Sequence, residues 1–276
     1  MRKQPKGPAA APADEATLRI ERRDAVALLT LSRPRSRNAL SLAMLDALGS
    51  AVAELSGDRA VAAVVVAADG PVFCSGHDLK ELTAHRADAD RGRAFFETTM
   101  RRCAGVMQAI IASPKPFIAA VEGPATAAGC QLVATCDLAV AAETSTFCTP
   151  GVDIGLFCST PMVALSRNVP RKRALEMLLL GEPIGARAAA DYGLINRVVP
   201  MDRVRAEALS LAEKIASKSS RVQAIGKVAF YQQIERPLAD AYDYAARVMV
   251  ENMLARDAEE GIGAFIEKRP PRWEDR

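Results

Sequence analysis

The stretch VEGPATAAGCQLVATCDLAVAAETSTFCTPGVDIGLFCSTP, residues 121–161, decides the fold and the candidate site of this chain. It begins where the apolar run 117–121 stops at Gly-Pro, and mostly small residues follow at 125–129. Small side chains let the backbone approach a ligand closely, and the amides at the start of a helix point outward. The pattern therefore predicts an anion or oxyanion site that follows a buried strand.

Two positions in this stretch bear directly on the chemistry. Gln131 lies on the predicted helix and Gly151 follows Thr149-Pro150, and a carboxylate would be useful at either position. Gln cannot exchange a proton at neutral pH and Gly has no side chain, so neither residue can act as a general acid or base. An enzyme with this stretch needs another source of acid–base catalysis, or a reaction that does without it.

Length and charge restrict the class of protein. The chain has 276 residues, 50% of them apolar, which suffices for one large domain or for a domain with an appendage, and we expect the second. The net charge of +3 is too small to indicate a nucleic-acid partner, because Lys and Arg are interspersed with Asp and Glu. No apolar run approaches the roughly 20 residues of a membrane span, so we expect no membrane partner.

The cysteines and histidines argue against a metal site. The six cysteines form no C-x-x-C pair and the chain has only two histidines, so we expect no metal and reduced, buried thiols. Residues 1–17 lack the apolar core of a secretory signal, and Asp14 and Glu15 count against a transit peptide. These features predict a disordered tail at residues 1–17 and a cytoplasmic location.

Strand and helix patterns alternate through the first two thirds of the chain. Apolar runs with helical patterns between them predict strands at residues 18–20, 26–31, 61–67, 117–121 and 138–142. After Pro161 the pattern is helical, apart from one short predicted strand at 197–199. We therefore expect an α/β core over residues 18–200 and a helical region over residues 201–276.

An internal repeat links two parts of the predicted core. GPVFCSGHDL (residues 70–79) and GPATAAGCQL (residues 123–132) share the frame G-P-x4-G-x2-L. Each copy follows an apolar strand and precedes helical sequence. Two copies do not establish a solenoid, but they predict two similar strand–loop–helix units whose loops present backbone amides to the same place.

Several motifs together resemble a known family, the enoyl-CoA hydratase/isomerase (crotonase) superfamily, over about Leu18 to Trp273. They are RPRSRNALS (33–41), GPVFCSGHDLKEL (70–82), GPATAAGCQLVATCDLAVA (123–141), FCTPGVDIGL (147–156) and EGIGAFIEKRPPRW (260–273). The resemblance implies an α/β fold, a crotonase-like spiral of ββα units with a C-terminal helical region that forms a homotrimer, often a dimer of trimers. The segments SGHDLKEL and ATAAGCQLVATCD most resemble one subgroup of this family.

The resemblance also implies a binding site for an acyl-CoA thioester. The family holds a thioester enolate with two backbone N–H groups, which by motif match are those of His77 and Ala128, and such donors contribute roughly 3–4 kcal/mol each. Coenzyme A is then part of the substrate, and no separate cofactor is expected. The other residues that the resemblance assigns to substrate binding are Arg35, Arg37, Ser75, Asp78, Leu79 and Lys80, with Phe265 and Lys268 reaching the CoA of a neighbouring subunit. Of these, Asp78 is also expected to cap the next helix.

The catalytic acids are where this chain departs from the family. Hydratases carry two glutamates that share one water, and their positions match Gln131 and Gly151. The acid–base contribution, about 10²–10⁴-fold for a positioned group, is absent at both, so ordinary hydration is doubtful. Three side chains could substitute, each with a plainer alternative role: Asp153 as a turn residue, the His77 imidazole turned away from the site, and Cys158 as a buried thiol.

Three functional classes fit these observations. The leading prediction is an enzyme of the lyase type in fatty-acid or acyl-CoA metabolism, which stabilises a thioester enolate for a reaction such as decarboxylation or thioester hydrolysis. The second is a weak or unusual enoyl-CoA hydratase that uses Asp153 or a water held by Gln131. The third is a non-catalytic acyl-CoA binding protein, for which the loss of both acids is the expected state.

Overall fold

The apolar runs form strands, as the sequence predicts. The computed structural model describes residues 17–275. The strands are β1 Leu18–Arg23, β2 Val26–Leu31, β3 Ala63–Ala68, β4 Phe117–Val121, β5 Ala125–Thr126, β6 Leu138–Ala142, β7 Thr146–Cys148, β8 Ile184–Gly185 and β9 Arg197–Val199. Within these residues they form a six-stranded sheet of order β1-β2-β3-β4-β6-β9 and a three-stranded sheet of order β5-β7-β8.

The helices lie between the strands and then follow them. They are α1 Leu42–Gly57, α2 Leu79–Ala84, α3 Arg93–Ala112, α4 Ala128–Thr135, α5 Ser159–Asn168, α6 Arg171–Leu180, α7 Ala186–Asp191, α8 Val204–Ala216, α9 Ser220–Gln233, α10 Leu238–Met253 and α11 Arg256–Glu267. Ser41 caps α1, and its hydroxyl oxygen accepts the Met44 N–H at 3.2 Å. α3 begins at Arg93, because the Asp90 carboxylate binds the N–H groups of Gly92 and Ala94 and closes a turn just before it.

The central strands are covered on both faces, as their continuous apolar sequences indicate. All residues of β2, β3 and β4 are buried. One face of the sheet packs with α1 and α3 in the larger core cluster. The other face packs against α8, through the buried side chains of Val204, Ala208 and Ala212.

Parallel pairing brings the functional loops to one edge of the main sheet. β1 and β2 form an antiparallel hairpin, whereas β2, β3, β4, β6 and β9 pair in parallel. The carboxyl ends of parallel strands lie at the same edge, where open α/β sheets bind their ligands. The basic loop after β2 and the two copies of the repeat, after β3 and β4, therefore emerge side by side.

The two copies of the repeat are in direct contact. Phe73 N–H donates to the Pro124 carbonyl at 3.1 Å, and Thr126 N–H donates to the Cys74 carbonyl at 2.9 Å. A Cβ on Gly129 would lie 2.2 Å from the Cys74 carbonyl oxygen, so this position requires glycine. The first copy leads into the short helix α2 and the second into α4, whose residues are all buried.

A buried charged cluster anchors α9 at the opposite, amino-terminal edge of the sheet. Lys227 Nζ donates to Asp137 Oδ2 at 2.7 Å and to two main-chain carbonyl oxygens, those of Ile110 and Lys115. The Tyr231 hydroxyl donates to the other oxygen of Asp137 at 2.9 Å. The first of the C-terminal helices after α8 is thus fixed to the core by paired polar groups.

The last helices leave much apolar surface uncovered in the single chain. Leu238 is 75% exposed, Leu254 is 77% exposed and Phe265 is 85% exposed. A groove of about 790 Å³ between α9 and α10 is lined largely by apolar residues, among them Ile225 and Val228. The predicted tail at residues 1–17 lies outside the described residues, except for Thr17, whose carbonyl accepts the Ser32 N–H.

Candidate active site

The donor predicted at His77 lies on a short parallel bridge. Leu40 N–H donates to the Gly76 carbonyl at 2.8 Å, and Asp78 N–H donates to the Leu40 carbonyl at 3.4 Å. Because these two bonds bracket His77, its own N–H and C=O point away from Leu40. The bridge therefore fixes the direction of the His77 amide.

The second predicted donor, Ala128, lies against the same segment. A Cβ on Gly76 would be 3.3 Å from the Ala128 nitrogen and 3.0 Å from Ala127 Cβ. Ala127 has φ 51° and ψ −116°, a conformation that side chains with a Cβ rarely adopt. Its N–H donates to the Cys148 carbonyl at 2.9 Å. This strained residue turns the chain into α4, so that Ala128 is the first residue of the helix.

The two amides are available to a ligand. Within residues 17–275, neither the His77 N–H nor the Ala128 N–H has a hydrogen-bond acceptor. They come from segments that touch each other, and each is fixed by the bonds of its neighbours. Two such donors can stabilise a single carbonyl oxygen that gains negative charge.

Asp78 caps α2, as expected. One oxygen of its carboxylate accepts the N–H groups of Lys80 at 3.0 Å and Glu81 at 3.2 Å. The cap holds α2 directly after the bridge that carries His77. Asp78 therefore has a demonstrated structural role, and its predicted contact with substrate stays a prediction.

Glu81 joins the amide site to the start of α1, and the sequence analysis did not select it. Its Oε2 accepts the N–H of Leu42, the first residue of α1, at 3.0 Å. Nearby, Ser75 N–H donates to the Arg37 carbonyl at 3.1 Å. The basic loop and the His77 segment are therefore fastened together. The Asp-x-x-Glu spacing from Asp78 to Glu81 is a capping-box pattern, and that signal could have identified Glu81.

The side chains predicted to bind CoA lie at the surface beside this junction. Those of Arg35, Arg37, Leu79 and Lys80 are exposed, and Ser75 is partly buried. Two guanidinium groups and an ammonium group can meet phosphates there without losing an existing buried partner. The predicted contacts of Phe265 and Lys268 involve a neighbouring subunit. Both residues are exposed, at and just beyond the end of α11.

Gln131 lies one helical turn after Ala128 and is 4% exposed. Residues three apart on a helix share a face, so its side chain projects from the same face of α4 as that of Ala128. The Cys103 thiol approaches its Oε1 at 3.9 Å. Gln131, predicted to match the first family glutamate, is thus a buried neutral amide.

Cys158 fills the space beside Gly151, the residue predicted to match the second family glutamate. A Cβ on Gly151 would be 2.9 Å from Cys158 Sγ and 3.0 Å from the Leu156 carbonyl oxygen. The chain folds back here, and Leu156 N–H donates to the Gly151 carbonyl at 2.8 Å. A longer side chain at Gly151 therefore requires this loop to move.

The predicted substitute acids and nucleophiles find little support in their surroundings. Asp153 is exposed, and its Oδ2 lies 3.3 Å from the place of a Cβ on Gly181, at the end of α6. Burial raises the pKa of the Cys158 thiol, although the Gly151 N–H opposes this effect. Burial also raises the pKa of Cys103 to about 12. Neutral buried thiols are poor nucleophiles, which favours the plainer role for Cys158.

The imidazole of His77 carries an unpaired nitrogen. Its Nε2 is buried and has no hydrogen-bond partner within the described residues. Burial lowers the pKa of His77 to about 4, so the ring is neutral at pH 7. The structure therefore shows a neutral imidazole with a buried, unpaired nitrogen on the residue whose amide is the first predicted donor.

Within residues 17–275, no group of three or more His, Cys, Asp or Glu residues is placed to hold a metal ion. None of the helices described in that range combines the length and apolar character that a membrane crossing requires.

The fold and the amide pair define a class of protein, and the sequence comparison agrees. The sequence model of the enoyl-CoA hydratase/isomerase family matches residues 21–276. The chain therefore belongs to the enoyl-CoA hydratase/isomerase family and has its α/β crotonase-like fold.

Individual relatives refine this assignment. Enoyl-CoA hydratase domain-containing protein 3, mitochondrial, of Mus musculus is 49% identical over 97% of this chain and 87% of that protein. The crystal structure of the human protein of that name has a TM-score of 0.89 and 47% identity, covering 93% of this chain and all of that one. An enoyl-CoA hydratase structure from Mycobacterium smegmatis also has a TM-score of 0.89, with 49% identity and coverage of 94% and 99%. The subgroup resemblance of SGHDLKEL and ATAAGCQLVATCD is thus confirmed.

The predicted cytoplasmic location is wrong on this comparison. The relatives from mouse, rat and human that share 49% of their aligned residues with this chain are all named as mitochondrial proteins. The prediction relied on reduced cysteines and on acidic residues near the start. Reduced thiols do not separate these two compartments, and residues 14 and 15 lie outside the described part of the chain.

Proposed function

We propose that this protein binds acyl-CoA thioesters and stabilises the enolate of the bound acyl group, within fatty-acid or acyl-CoA metabolism. The observation that carries this proposal is the pair of unpaired N–H groups of His77 and Ala128, which come from touching, rigidly held segments. The thioester carbonyl oxygen accepts both, and it gains negative charge when the enolate forms. Donors already in place stabilise that charge without reorganisation.

The surroundings of the two glutamate positions favour a reaction that does not activate water. Gln131 supplies only a neutral amide, and Cys158 takes the space beside Gly151. A hydratase needs both carboxylates on a single water, and each positioned acid–base group contributes about 10²–10⁴-fold. Enolate chemistry such as decarboxylation of the acyl group needs the two N–H donors but no activated water.

A binding experiment tests the proposal. Acetyl-CoA or butyryl-CoA should raise the melting temperature of the protein by mass action, and free adenosine should raise it far less. The comparison separates recognition of the thioester and phosphates from recognition of the adenine alone. No shift with either acyl-CoA at millimolar concentration would refute the proposal.

A weak hydratase is the second candidate, and one observation favours it. Burial raises the pKa of the Cys148 thiol and the Asp153 carboxylate adds to that rise, so Asp153 lies near Cys148, which contacts Thr126 at 3.5 Å beside the amide loop. We nevertheless expect crotonyl-CoA hydration several powers of ten below that of an enzyme with both glutamates. Hydration at an ordinary rate, lost in Asp153→Asn, would favour this candidate. Binding without turnover of any acyl-CoA would indicate the third class, a non-catalytic binding protein.

We also propose that the protein is a homotrimer or a dimer of trimers. The exposed apolar side chains of Leu238, Leu254 and Phe265 on the last helices support this, because a monomer gains nothing from leaving them in water. A trimer would also place Phe265 and Lys268 next to another subunit. Light scattering at micromolar concentration measures the assembly directly, and a monomer would contradict the proposal.

A further inference from the structure

The basic loop after β2, residues 33–38, is held in shape by one buried side chain, that of Asn38. Asn38 is fully buried, and its Oδ1 accepts the Arg33 N–H at 2.9 Å. Its Nδ2 donates to two main-chain carbonyl oxygens of the next loop, those of Asp69 at 2.9 Å and Val72 at 2.8 Å. Asn38 therefore closes the basic loop on itself and fastens it to the start of the first copy of the repeat.

The backbone at this position favours asparagine. Asn38 has φ 51° and Arg37 has φ 54°, so two consecutive residues have a positive φ. Asparagine adopts this conformation more readily than most residues do, and its side-chain amide supplies an acceptor together with two donors. Aspartate shares the conformational tolerance but lacks the donors, and glycine lacks the side chain. The hydrogen bonds and the backbone at this position therefore require the same residue type.

The basic loop and the first copy of the repeat are also in direct contact on either side of Asn38. A Cβ on Gly70 would lie 2.6 Å from Pro34 Cβ, so the two loops are packed as closely as a glycine allows. The Ser75 N–H donates to the Arg37 carbonyl at 3.1 Å. These contacts and the Asn38 amide join the two loops into one rigid unit.

The cations on this loop are free to bind a ligand. The guanidinium groups of Arg35 and Arg37 are exposed, and within residues 17–275 they form no ion pair or hydrogen bond. Arg37 immediately precedes Asn38. Leu40, whose main chain forms the bridge with His77, follows Asn38 by two residues. Asn38 therefore sets where these cations stand relative to the His77 N–H.

We propose that Asn38 is a positioning residue for acyl-CoA binding, which holds the guanidinium groups of Arg35 and Arg37 at a fixed place relative to the two amide donors. This inference rests on the proposed function and names a residue that serves it without touching the ligand. The phosphates and the thioester oxygen of one ligand are then bound together. Ordering a loop during binding lowers affinity, and a loop that is held beforehand avoids that loss.

A comparison of two thioesters tests this role. Butyryl-CoA carries the phosphates and the nucleoside of coenzyme A, whereas butyryl-pantetheine has the same thioester without them. Asn38→Gly keeps a residue that adopts positive φ without strain, and it removes all three side-chain hydrogen bonds. Affinity for butyryl-CoA should fall by about tenfold or more, and affinity for butyryl-pantetheine much less. Equal losses for the two ligands would overturn the inference, because they would indicate a general structural role.

A double-mutant cycle shows whether Asn38 acts through the two arginines. In a protein that already carries Arg35→Ala and Arg37→Ala, Asn38→Gly should lower butyryl-CoA affinity by only about twofold or less, because the groups that it positions are absent. The full loss in that background would overturn the inference, since Asn38 would then affect the ligand by another route.

Asn168 provides a matched control. Its Nδ2 also donates to two main-chain carbonyl oxygens, those of Ala134 at 2.8 Å and Ala164 at 2.9 Å, but these lie on α4 and α5 and not in the basic loop. Asn168→Ala should lower the melting temperature and leave the ratio of the two affinities as in the wild type. A change in that ratio as large as in Asn38→Gly would overturn the inference.

Hydrogen exchange in the wild type tests the same point without a variant. If the loop is held before the ligand arrives, the N–H groups of Leu40 and Ser75 exchange slowly in the free protein, and butyryl-CoA changes their rates little. Fast exchange that butyryl-CoA slows would overturn the inference, even if Asn38→Gly does not fold. Failure of butyryl-CoA to raise the melting temperature of the wild type is a different result, which refutes the proposed function itself.

Discussion

Polar groups are paired at one edge of the main sheet and unpaired at the other. At the amino-terminal edge, the Asp137 carboxylate accepts hydrogen bonds from Phe117 N–H, Lys227 and Tyr231, and both of its oxygens are used. At the carboxyl edge, two amides and the Nε2 of His77 have no partner within the described residues. The two edges are ends of the same strands, and the same core lies between them.

This difference separates stability from function. Buried charges contribute to a fold only when every partner is present, as it is around Asp137. Donors held rigidly without a partner, beside a residue as strained as Ala127, do not stabilise the fold and are typical of ligand sites. Substitutions at the amino-terminal edge should therefore mainly change stability, and those at the carboxyl edge should mainly change ligand binding.

The largest effect on stability is expected at the amino-terminal edge, where the polar groups are paired. Lys227→Ala leaves the Asp137 carboxylate buried without its cation, and should lower the free energy of unfolding by about 3–5 kcal/mol. Urea unfolding measures the change. The matched control is Arg167→Ala, which breaks an exposed pair with Glu235 and should change stability by less than about 1 kcal/mol. Equal effects would mean that burial of the pair is unimportant.

At the carboxyl edge of the sheet, His77 should make the stability of the protein depend on pH. The folded-state pKa of His77 is about 4, below the unfolded value near 6.5, so above pH 6.5 both states are neutral and no stability is lost. As the pH falls from 6.5 to 4, His77 is protonated in the unfolded state but stays neutral in the folded state. The free energy of unfolding should therefore fall by up to about 3 kcal/mol. His77→Phe should remove this part of the decline in melting temperature. An identical pH profile would contradict the burial of the ring.

The protein should be sensitive to added volume at Gly151. Gly151→Ala places a Cβ against Cys158 Sγ and the Leu156 carbonyl, and should cost about 1–3 kcal/mol of stability. Gly57→Ala, where a Cβ would meet nothing within 4 Å, is the control and should not destabilise. In the background of Cys158→Ala, the cost of Gly151→Ala should shrink; if it does not, the sulfur is not the obstacle.

The space beside Gly151 also determines whether hydration can be restored. Gln131→Glu with Gly151→Glu should raise crotonyl-CoA hydration above either single change, because one water needs both carboxylates. Removing the Cys158 sulfur as well should increase the gain, since the second carboxylate then has room. A rate in the double variant no higher than in the better single variant would contradict the shared-water argument.

The smallest effect on stability is expected at Asp78, which caps α2 at the carboxyl edge. Asp78→Ala removes the acceptor of the Lys80 and Glu81 amides and should cost about 1 kcal/mol. Asp78→Asn keeps a cap and should cost less. If acyl-CoA affinity falls much more than stability, Asp78 contacts the ligand as well, as its predicted place in the binding site requires.

Much of this architecture could be predicted from local patterns. The buried strands, the Ser41 and Asp78 caps and the contact between the two repeat copies follow from signals within a few residues of each position. The motifs identified the family, and they predict the amide pair at His77 and Ala128. The boundaries were less accurate: β3 was expected from residue 61 but begins at Ala63, because Val61 and Ala62 are buried without joining the sheet ladder.

The sequence by itself determined the family, the alternation of strands and helices, and the absence of an acid at Gln131 and Gly151. Only the tertiary structure decided that Cys158 lies against Gly151 and that the Nε2 atom of the partly buried His77 side chain has no partner within the described residues. It also decided that Lys227 reaches the Ile110 carbonyl, 117 positions away. The physical reason is range: turns, caps and periodicity are set by neighbours along the chain, whereas burial and the pairing of a charge depend on segments that only folding brings together.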